Sequence, residues 1–157
     1  MERQQLETPL GMIVVTVNDS GAVVGIAFDD EAPPDGVKNA PGGCRAVDQL
    51  VRYFNGELTE FDLALDPEGT DFEKRVWNEL CRIPFGSTTT YGDIAARLGD
   101  LNATRAVGTA NARNPIAVVI PCHRVIGADG ELTGYAGGLW RKKWLLAHES
   151  GQQELGF

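Results

Sequence analysis

Ile120-Pro121-Cys122-His123-Arg124-Val125-Ile126 is the stretch around which this chain of 157 residues is organised. An apolar run, Ile116-Ala117-Val118-Val119-Ile120, drives into it and reads as a strand that Pro121 stops. A thiol attacks only as thiolate, and an adjacent His, Arg or helix N-terminus lowers its pKa. Pro-Cys-His-Arg therefore sets a potential nucleophile among groups able to activate it. The competing reading is a strand end that carries an inert buried cysteine and a solvated basic pair.

Working outward, the bulk properties bound the answer. A chain of this length at 43% hydrophobic residues buries a core as one or two small domains. No run reaches the roughly 18 apolar residues of a membrane span. Met1-Glu2-Arg3-Gln4-Gln5 has neither the basic nor the apolar region of a signal peptide. Three widely spaced cysteines, at 44, 81 and 122, make no disulfide framework, so a reduced, cytoplasmic protein is expected.

Net charge is −8, but it is unevenly spread. Residues 1–70 hold 13 Asp and Glu against 4 Lys and Arg, whereas residues 71–157 hold 9 against 10. An acidic half can face away while a near-neutral half meets phosphate, so a nucleic-acid partner stays open. Solubility or a salty cytoplasm would also account for the acidity.

The N-terminal half reads as a small α+β unit. Gly11–Val17 and Ala22–Phe28 are β-branched runs separated by Asn18-Asp19-Ser20-Gly21, a hairpin signal. Asp29 to Gly43 reads as a loop. From Cys44, Val47, Leu50, Val51 and Phe54 fit one helix face that ends at Asn55-Gly56. Phe61–Leu65 alternates like a half-buried strand, and Asp66–Gly69 links onward.

Thr70-Asp71-Phe72-Glu73 is a capping box, opening a helix with Phe72, Val76, Leu80 and Ile83 on one face. Cys81 falls inside that pattern and reads as core. Thr90-Tyr91-Gly92-Asp93 caps a second helix that ends at Leu98-Gly99, and Asn102 is placed to cap a third, Ala103–Ala112. Two short helices across a tight Gly-containing turn match helix-turn-helix spacing. The second is lined by Ala103, Ala106, Gly108, Thr109 and Ala110, from which Arg105 projects. Ordinary packing explains such small residues equally well. Beyond Ile120, Val125-Ile126 and Glu131-Leu132-Thr133 read as a hairpin, and Gly134–Gly138 as a loop around Tyr135. Leu139–Glu149 reads as a helix with Leu139, Lys143, Trp144, Leu146 and Ala147 near its apolar side.

These elements together resemble the O6-alkylguanine-DNA alkyltransferases, the methylated-DNA–protein-cysteine methyltransferases. Ile120-Pro-Cys-His-Arg-Val125 is similar to that family's acceptor-cysteine motif, and its surroundings match in order. Tyr91 heads the first helix of the pair, Arg105 lies in the second, and Asn114-Pro115 precedes the cysteine. Gly134-Tyr135-Ala136-Gly137-Gly138 and Leu145-Leu-Ala-His-Glu149 follow. The resemblance is sharp over residues 71–150 and only compatible over 1–70.

The resemblance implies an α+β protein of two domains. Residues 1–69 would form a supporting α+β domain of a hairpin plus a helix. Residues 70–157 would form a mainly helical DNA-binding and alkyl-acceptor domain with a helix-turn-helix. It implies irreversible transfer of the alkyl group from O6-methylguanine in double-stranded DNA, and from O4-methylthymine, to Cys122 after base flipping. His123 would be the base, directly or through a water, Glu149 would orient it, and Asn114 would fix the segment leading to the cysteine. Tyr91 would offer its hydroxyl to the leaving base, and Val125, Tyr135 and Ala136 would complete the base pocket. Arg105 would fill the vacated stack, with Ala103, Thr104 and Gly108 pressed into the minor groove. Arg124 is a further candidate for DNA contact, with a structural ion pair as its alternative. No metal, cofactor or membrane is implied, and a monomer is expected. His148 reads as a helix-end residue.

Two rivals stand beside this reading. A cysteine hydrolase also pairs Cys with His, but leaves Tyr91, Arg105 and the helix pair without a role. A non-catalytic damage-binding relative would lack the acceptor cysteine, and Cys122 is present.

Overall fold

The computed structural model describes residues 2–30, 45–132, 134–135 and 137–151. Its architecture is α+β, and the chain divides into two compact units. One comprises Met1–Glu68 with Pro115–Ala117; the other comprises Gly69–Asn114 and Val118 onward. The excursion at Pro115–Ala117 is not visible to a single cut after residue 69.

In the first unit, β1 (Glu2–Thr8), β2 (Gly11–Val17) and β3 (Val23–Phe28) form an antiparallel sheet in that order. Asn18 builds the β2–β3 turn: its Oδ1 accepts from the amides of Ser20 and Ala22, both at 3.0 Å. β1 has no counterpart in the sequence reading, because Glu2-Arg3-Gln4-Gln5 is polar throughout and shows no alternation. The helix α1 (Arg45–Phe54) buries Ala46, Val47, Leu50 and Tyr53; Cys44 lies outside the described residues.

Phe61–Leu65 is not a strand. Leu65 makes only an isolated bridge to Val23, and Gln49 holds the segment by exchanging two hydrogen bonds with the Asp62 backbone, at 2.9 and 3.0 Å. Nor is Ile116–Ile120 a strand. Ile116 bridges Ile26, with hydrogen bonds from Ile26 N–H to the Pro115 carbonyl and from Ala117 N–H to the Ile26 carbonyl. Val118 then takes φ +71°, which breaks any extended run and is costly for a β-branched residue. Burial on all sides, not sheet pairing, explains this apolar sequence.

In the second unit, α2 (Asp71–Leu80) begins with the expected capping box: Thr70 Oγ1 accepts from Glu73 N–H, and Glu73 Oε1 accepts from Thr70 N–H. Gly69 is required beside it, since a Cβ there would lie 2.5 Å from the Trp77 ring. Trp77 is buried and donates its indole N–H to the Ala110 carbonyl at 2.9 Å, fastening α2 to α4 (Thr104–Ala112). Thr90 caps α3 (Tyr91–Arg97) by accepting from Asp93 N–H. Asn102 caps nothing: Asp100 caps a 3-10 turn over Leu101–Ala103, and Ala103 stands at the α4 N-cap with no side-chain bond. Ile94, Ala95, Val107 and Ala110 pack the helix pair, and Arg75 donates to the Leu98 carbonyl at 3.1 Å. Cys81 is exposed at the α2 C-cap, where the helix ends before completing the face on which the pattern put it.

The Cys122 segment is a turn. Cys122–Arg124 is a 3-10 turn, and β5 (Val125–Ile126) pairs in parallel with β4 (Thr89–Thr90). The hairpin partner expected at 131–133 is absent from Glu131 and Leu132, and Thr133 lies outside the described residues; the 127–131 turn closes on itself through Gly127 N–H to the Glu131 carbonyl. The last helix, α5 (Leu139–Ser150), buries Arg141, Lys142, Leu145 and Glu149, while Leu139 and Lys143 are exposed. Its inner face is thus largely charged, the reverse of the apolar reading. Among the described residues, no helix is long and apolar enough to cross a membrane.

Candidate active site

Pro121 ends the apolar segment, and the 3-10 turn that follows buries Cys122, His123 and Arg124 at adjacent backbone positions. Asn114 donates from Nδ2 to the Ile120 carbonyl at 2.7 Å, so the residue that follows α4 holds the backbone leading into the turn. Asn111, on α4 itself, donates to the Cys122 carbonyl at 3.4 Å. The cysteine is 7% exposed. Burial pushes its thiol up to about 11, against the opposing pull of Asn114 and of the Lys142 charge. In the resting protein it is a protected thiol.

His123 is fully buried, and its Nε2 lies 2.8 Å from Glu149 Oε2. Burial lowers the imidazole pKa, with Glu149 pulling the other way and the Arg124 and Lys142 charges reinforcing the fall. Burial of Glu149 favours its protonated form, but hydrogen bonds from His123 and Arg124 outweigh it and hold the carboxyl at about 2. An ionised Glu149 accepts, so a neutral His123 carries its proton on Nε2. That leaves Nδ1, which is buried with no hydrogen-bond partner among the described residues, as the acceptor.

Arg124 is not a surface group. It donates from Nε to Glu149 Oε1 at 2.7 Å and from Nη2 to Glu149 Oε2 at 2.9 Å, a bidentate pair. Nη1 donates to the Ile83 carbonyl at 2.6 Å, and the guanidinium lies 5.9 Å from the Phe85 ring centroid. A guanidinium that gives three hydrogen bonds to internal acceptors and is 6% exposed presents little to a phosphate. Its assignment to DNA contact gives way to an internal ion pair.

Lys142 escaped the sequence reading. It is fully buried and donates from Nζ to the Val125 carbonyl at 2.6 Å, while its charge acts on Cys122. A lysine in Arg-Lys-Lys looks like solvated helix surface; the available signal was its placement seven residues before Glu149, two turns along the same face. Burial raises the Tyr135 hydroxyl well above its ordinary pKa, and the field of Cys122 adds to this. Ala136 lies outside the described residues. His148 stacks on Trp144 with ring centroids 4.8 Å apart in the last turn of α5. Among the described residues, no group of His, Cys, Asp and Glu could hold a metal ion.

A second feature lies on the helix pair. Tyr91, Asn102, Thr104, Arg105, Gly108 and Thr109, with Ala112 and Arg113, line an open groove of about 830 Å³. It brings together Tyr91, Thr104, Arg105 and Gly108; Ala103 is not among its walls. Arg105 and Arg113 are exposed there.

The chain resembles known proteins over nearly its whole length. Residues 71–151 match the model of the 6-O-methylguanine DNA methyltransferase DNA binding domain, and residues 2–67 match that of the same protein's ribonuclease-like domain. A methylated-DNA–protein-cysteine methyltransferase of Methanosarcina barkeri is 50% identical, with 92% of this chain and 94% of that one covered. One from Mycolicibacterium paratuberculosis is 47% identical, covering 95% and 92%. The structure of Mycobacterium tuberculosis OGT in complex with DNA superimposes with a TM-score of 0.86 at 44% identity, covering 97% of this chain and 94% of that one.

A two-unit α+β fold with a histidine-flanked cysteine buried beside a helix pair defines a DNA-repair alkyltransferase. The chain belongs to the 6-O-methylguanine DNA methyltransferase family. Its activity is that of a methylated-DNA–protein-cysteine methyltransferase, moving a methyl group from DNA to a protein cysteine.

Proposed function

We propose that Cys122 is the acceptor and that each molecule acts once, as a monomer, on an O6-alkylguanine flipped out of duplex DNA. The observation that carries this reading is the buried His123–Glu149–Arg124 network on the turn that presents Cys122. Of the described cysteines, Cys81 is exposed at the end of α2 and meets that network through the Arg124 charge, without a histidine beside it in the chain.

Cys122 must lose a proton before it attacks, and a thiol raised to about 11 does not do so unaided. His123 Nδ1 takes that proton through one water, and the imidazolium so formed is held by Glu149. Lys142 favours the thiolate electrostatically. The sulfur then bonds to the alkyl carbon as the carbon–O6 bond breaks, and guanine leaves with the electron pair. Tyr91 donates its hydroxyl hydrogen bond to the ring, limiting the charge it accumulates, while Val125 and Tyr135 wall the base. O4-methylthymine presents the same alkylated exocyclic oxygen and would enter by the same route. The thioether has no good leaving group, so nothing returns the protein to its starting state.

The groove supports a DNA surface. Ala103 leaves the first amides of α4 without a side-chain cap, a natural seat for phosphate, with Thr104 and Arg105 exposed beside it. Gly108 has no side chain to hold a DNA backbone off this face on the minor-groove side, and Arg105 fills the stack after flipping. The test compares wild type and Cys122→Ser on a duplex with one O6-methylguanine. Wild type should lose its free Cys122 thiol to methyl, while the variant should bind equally and take none. Transfer by the variant, or loss of its binding, would overturn the assignment.

A further inference from the structure

Arg141 is placed where a helix does not favour a cation. It lies in the first turn of α5, where the backbone dipole is positive, yet it is only 4% exposed. Its side chain turns back past the helix start. Nη1 donates to the Gly137 carbonyl at 3.0 Å, and the guanidinium lies 4.8 Å from the Trp140 ring centroid. An arginine over an indole face is attracted by the ring quadrupole and stays planar for hydrogen bonding.

Trp140 is 56% exposed, a large aromatic left in solvent beside the Gly137-Gly138 pair. Its indole also covers Gly138: a Cβ there would lie 3.3 Å from Trp140 Cδ1, and Gly138 has φ +94°. Gly138 N–H donates to the Tyr135 carbonyl at 2.8 Å, and the Gly138 carbonyl accepts from Arg141 N–H at 3.1 Å. Thus the indole, the guanidinium and the two glycine backbones form one stack, and Tyr135 hangs from it. The Arg141 charge also reaches the Tyr135 hydroxyl, which in turn feels Cys122.

We propose that Arg141 and Trp140 form a latch that fixes Gly137, Gly138 and Tyr135 against the start of α5, making Arg141 a positioning residue for the alkylated base. This rests on the reading of Tyr135 as a wall of the base pocket. The latch acts through backbone placement, so it governs how tightly a base is held and leaves the attack by Cys122 to the groups around the thiol. Arg141→Lys does not replace it, because an ammonium lacks the flat face that stacks on Trp140. Trp140→Phe keeps an aromatic face.

Two readouts test the latch. In single-turnover transfer from a methylated duplex, Arg141→Ala and Trp140→Ala should raise the half-saturating DNA concentration about tenfold, the first by losing a charge-assisted hydrogen bond and the second by losing the stack that orients it. The maximal rate should stay within about twofold, Trp140→Phe should behave as wild type, and Arg141→Lys should behave as Arg141→Ala. A fall in maximal rate with unchanged half-saturation, or no change in either variant, overturns the proposal. Trp140 is exposed, so Trp140→Ala decides the matter if Arg141→Ala does not fold. Amide hydrogen exchange at Gly138, measured without DNA, reads the latch independently of chemistry. Faster exchange in Trp140→Ala supports it and unchanged exchange refutes it, even if wild type itself were to transfer nothing and the functional reading were to fall.

Discussion

Arg124 and Glu149 are joined by two hydrogen bonds, Nε to Oε1 at 2.7 Å and Nη2 to Oε2 at 2.9 Å, and the same carboxylate also meets His123. One buried anion therefore serves a permanent cation and a titrating imidazole. Breaking a buried pair by removing one partner typically costs about 3–5 kcal/mol, because the other charge stays behind. Arg124→Ala should lower stability by about that much. The salt dependence of DNA binding should not move, since each phosphate contact contributes about 0.9 to its slope and a guanidinium spent on Glu149 and Ile83 makes none. Denaturant melts and salt titrations of wild type and Arg124→Ala check this; a changed salt slope in the variant would return that residue to the DNA surface.

Acid should destabilise this protein through the same network. Glu149 is ionised in the fold down to about 2, against an ordinary value of 4.5, so its contribution is fully present above 4.5 and is lost as pH falls towards 2. His123 is held below 6.5, so an unfolded chain takes up its proton first and stability also falls as pH drops through 6.5. Both act in the same direction. Stability measured from pH 7 to 3 should decline monotonically, and Glu149→Gln should lower the plateau and flatten the decline below pH 4.5. A stability maximum near pH 5 in wild type would contradict the assignment.

Lys142 offers a test of how the thiol is tuned. Its charge is one of the groups opposing the burial of Cys122. Lys142→Met should push the thiol above about 11 and slow both methyl transfer and alkylation by a small neutral haloacetamide. Measuring the two rates side by side separates tuning from base recognition. Equal thiol reactivity in variant and wild type would assign Lys142 to its Val125 carbonyl contact alone.

How much of this was legible in the sequence depended on range. The Thr70 and Thr90 caps span three residues, and the helices follow from them because capping is local. Cys122, His123 and Glu149 were legible only through their order along the chain. Arg124 was legible only as one of two alternatives, since its partners stand 25 and 41 residues away in sequence. Periodicity failed on α5 because the buried face holds Arg141, Lys142 and Glu149 beside Leu145: the two cations reach backbone carbonyls, and the carboxylate pairs with His123 and Arg124. It failed on Ile116–Ile120 because an apolar run says that a segment is buried, not that it is extended; Val118 at φ +71° is beyond any such pattern. β1 escaped because a polar edge strand has no alternation to detect.

Arg105 separates flipping from chemistry. Free O6-alkylguanine needs no extrusion from a stack, whereas a lesion in a duplex costs a few kcal/mol to unstack. Arg105→Ala should slow transfer from duplex DNA at least about tenfold more than transfer from the free base, which corresponds to about 1.4 kcal/mol of that cost. The ratio of the two rates in wild type and variant is the measurement. Equal slowing on both substrates would remove the stack-filling role.

The central claim is that Cys122 is consumed by a single transfer. Intact mass spectrometry of the whole protein, followed by peptide mapping after incubation with excess duplex carrying O6-methylguanine, tests it most directly. The account predicts one methyl group per chain, located on the Cys122 peptide, with demethylated DNA equal in amount to protein and no further product on longer incubation. Unmodified protein alongside product in excess over protein, or a methyl group on Cys81 in place of Cys122, would contradict it.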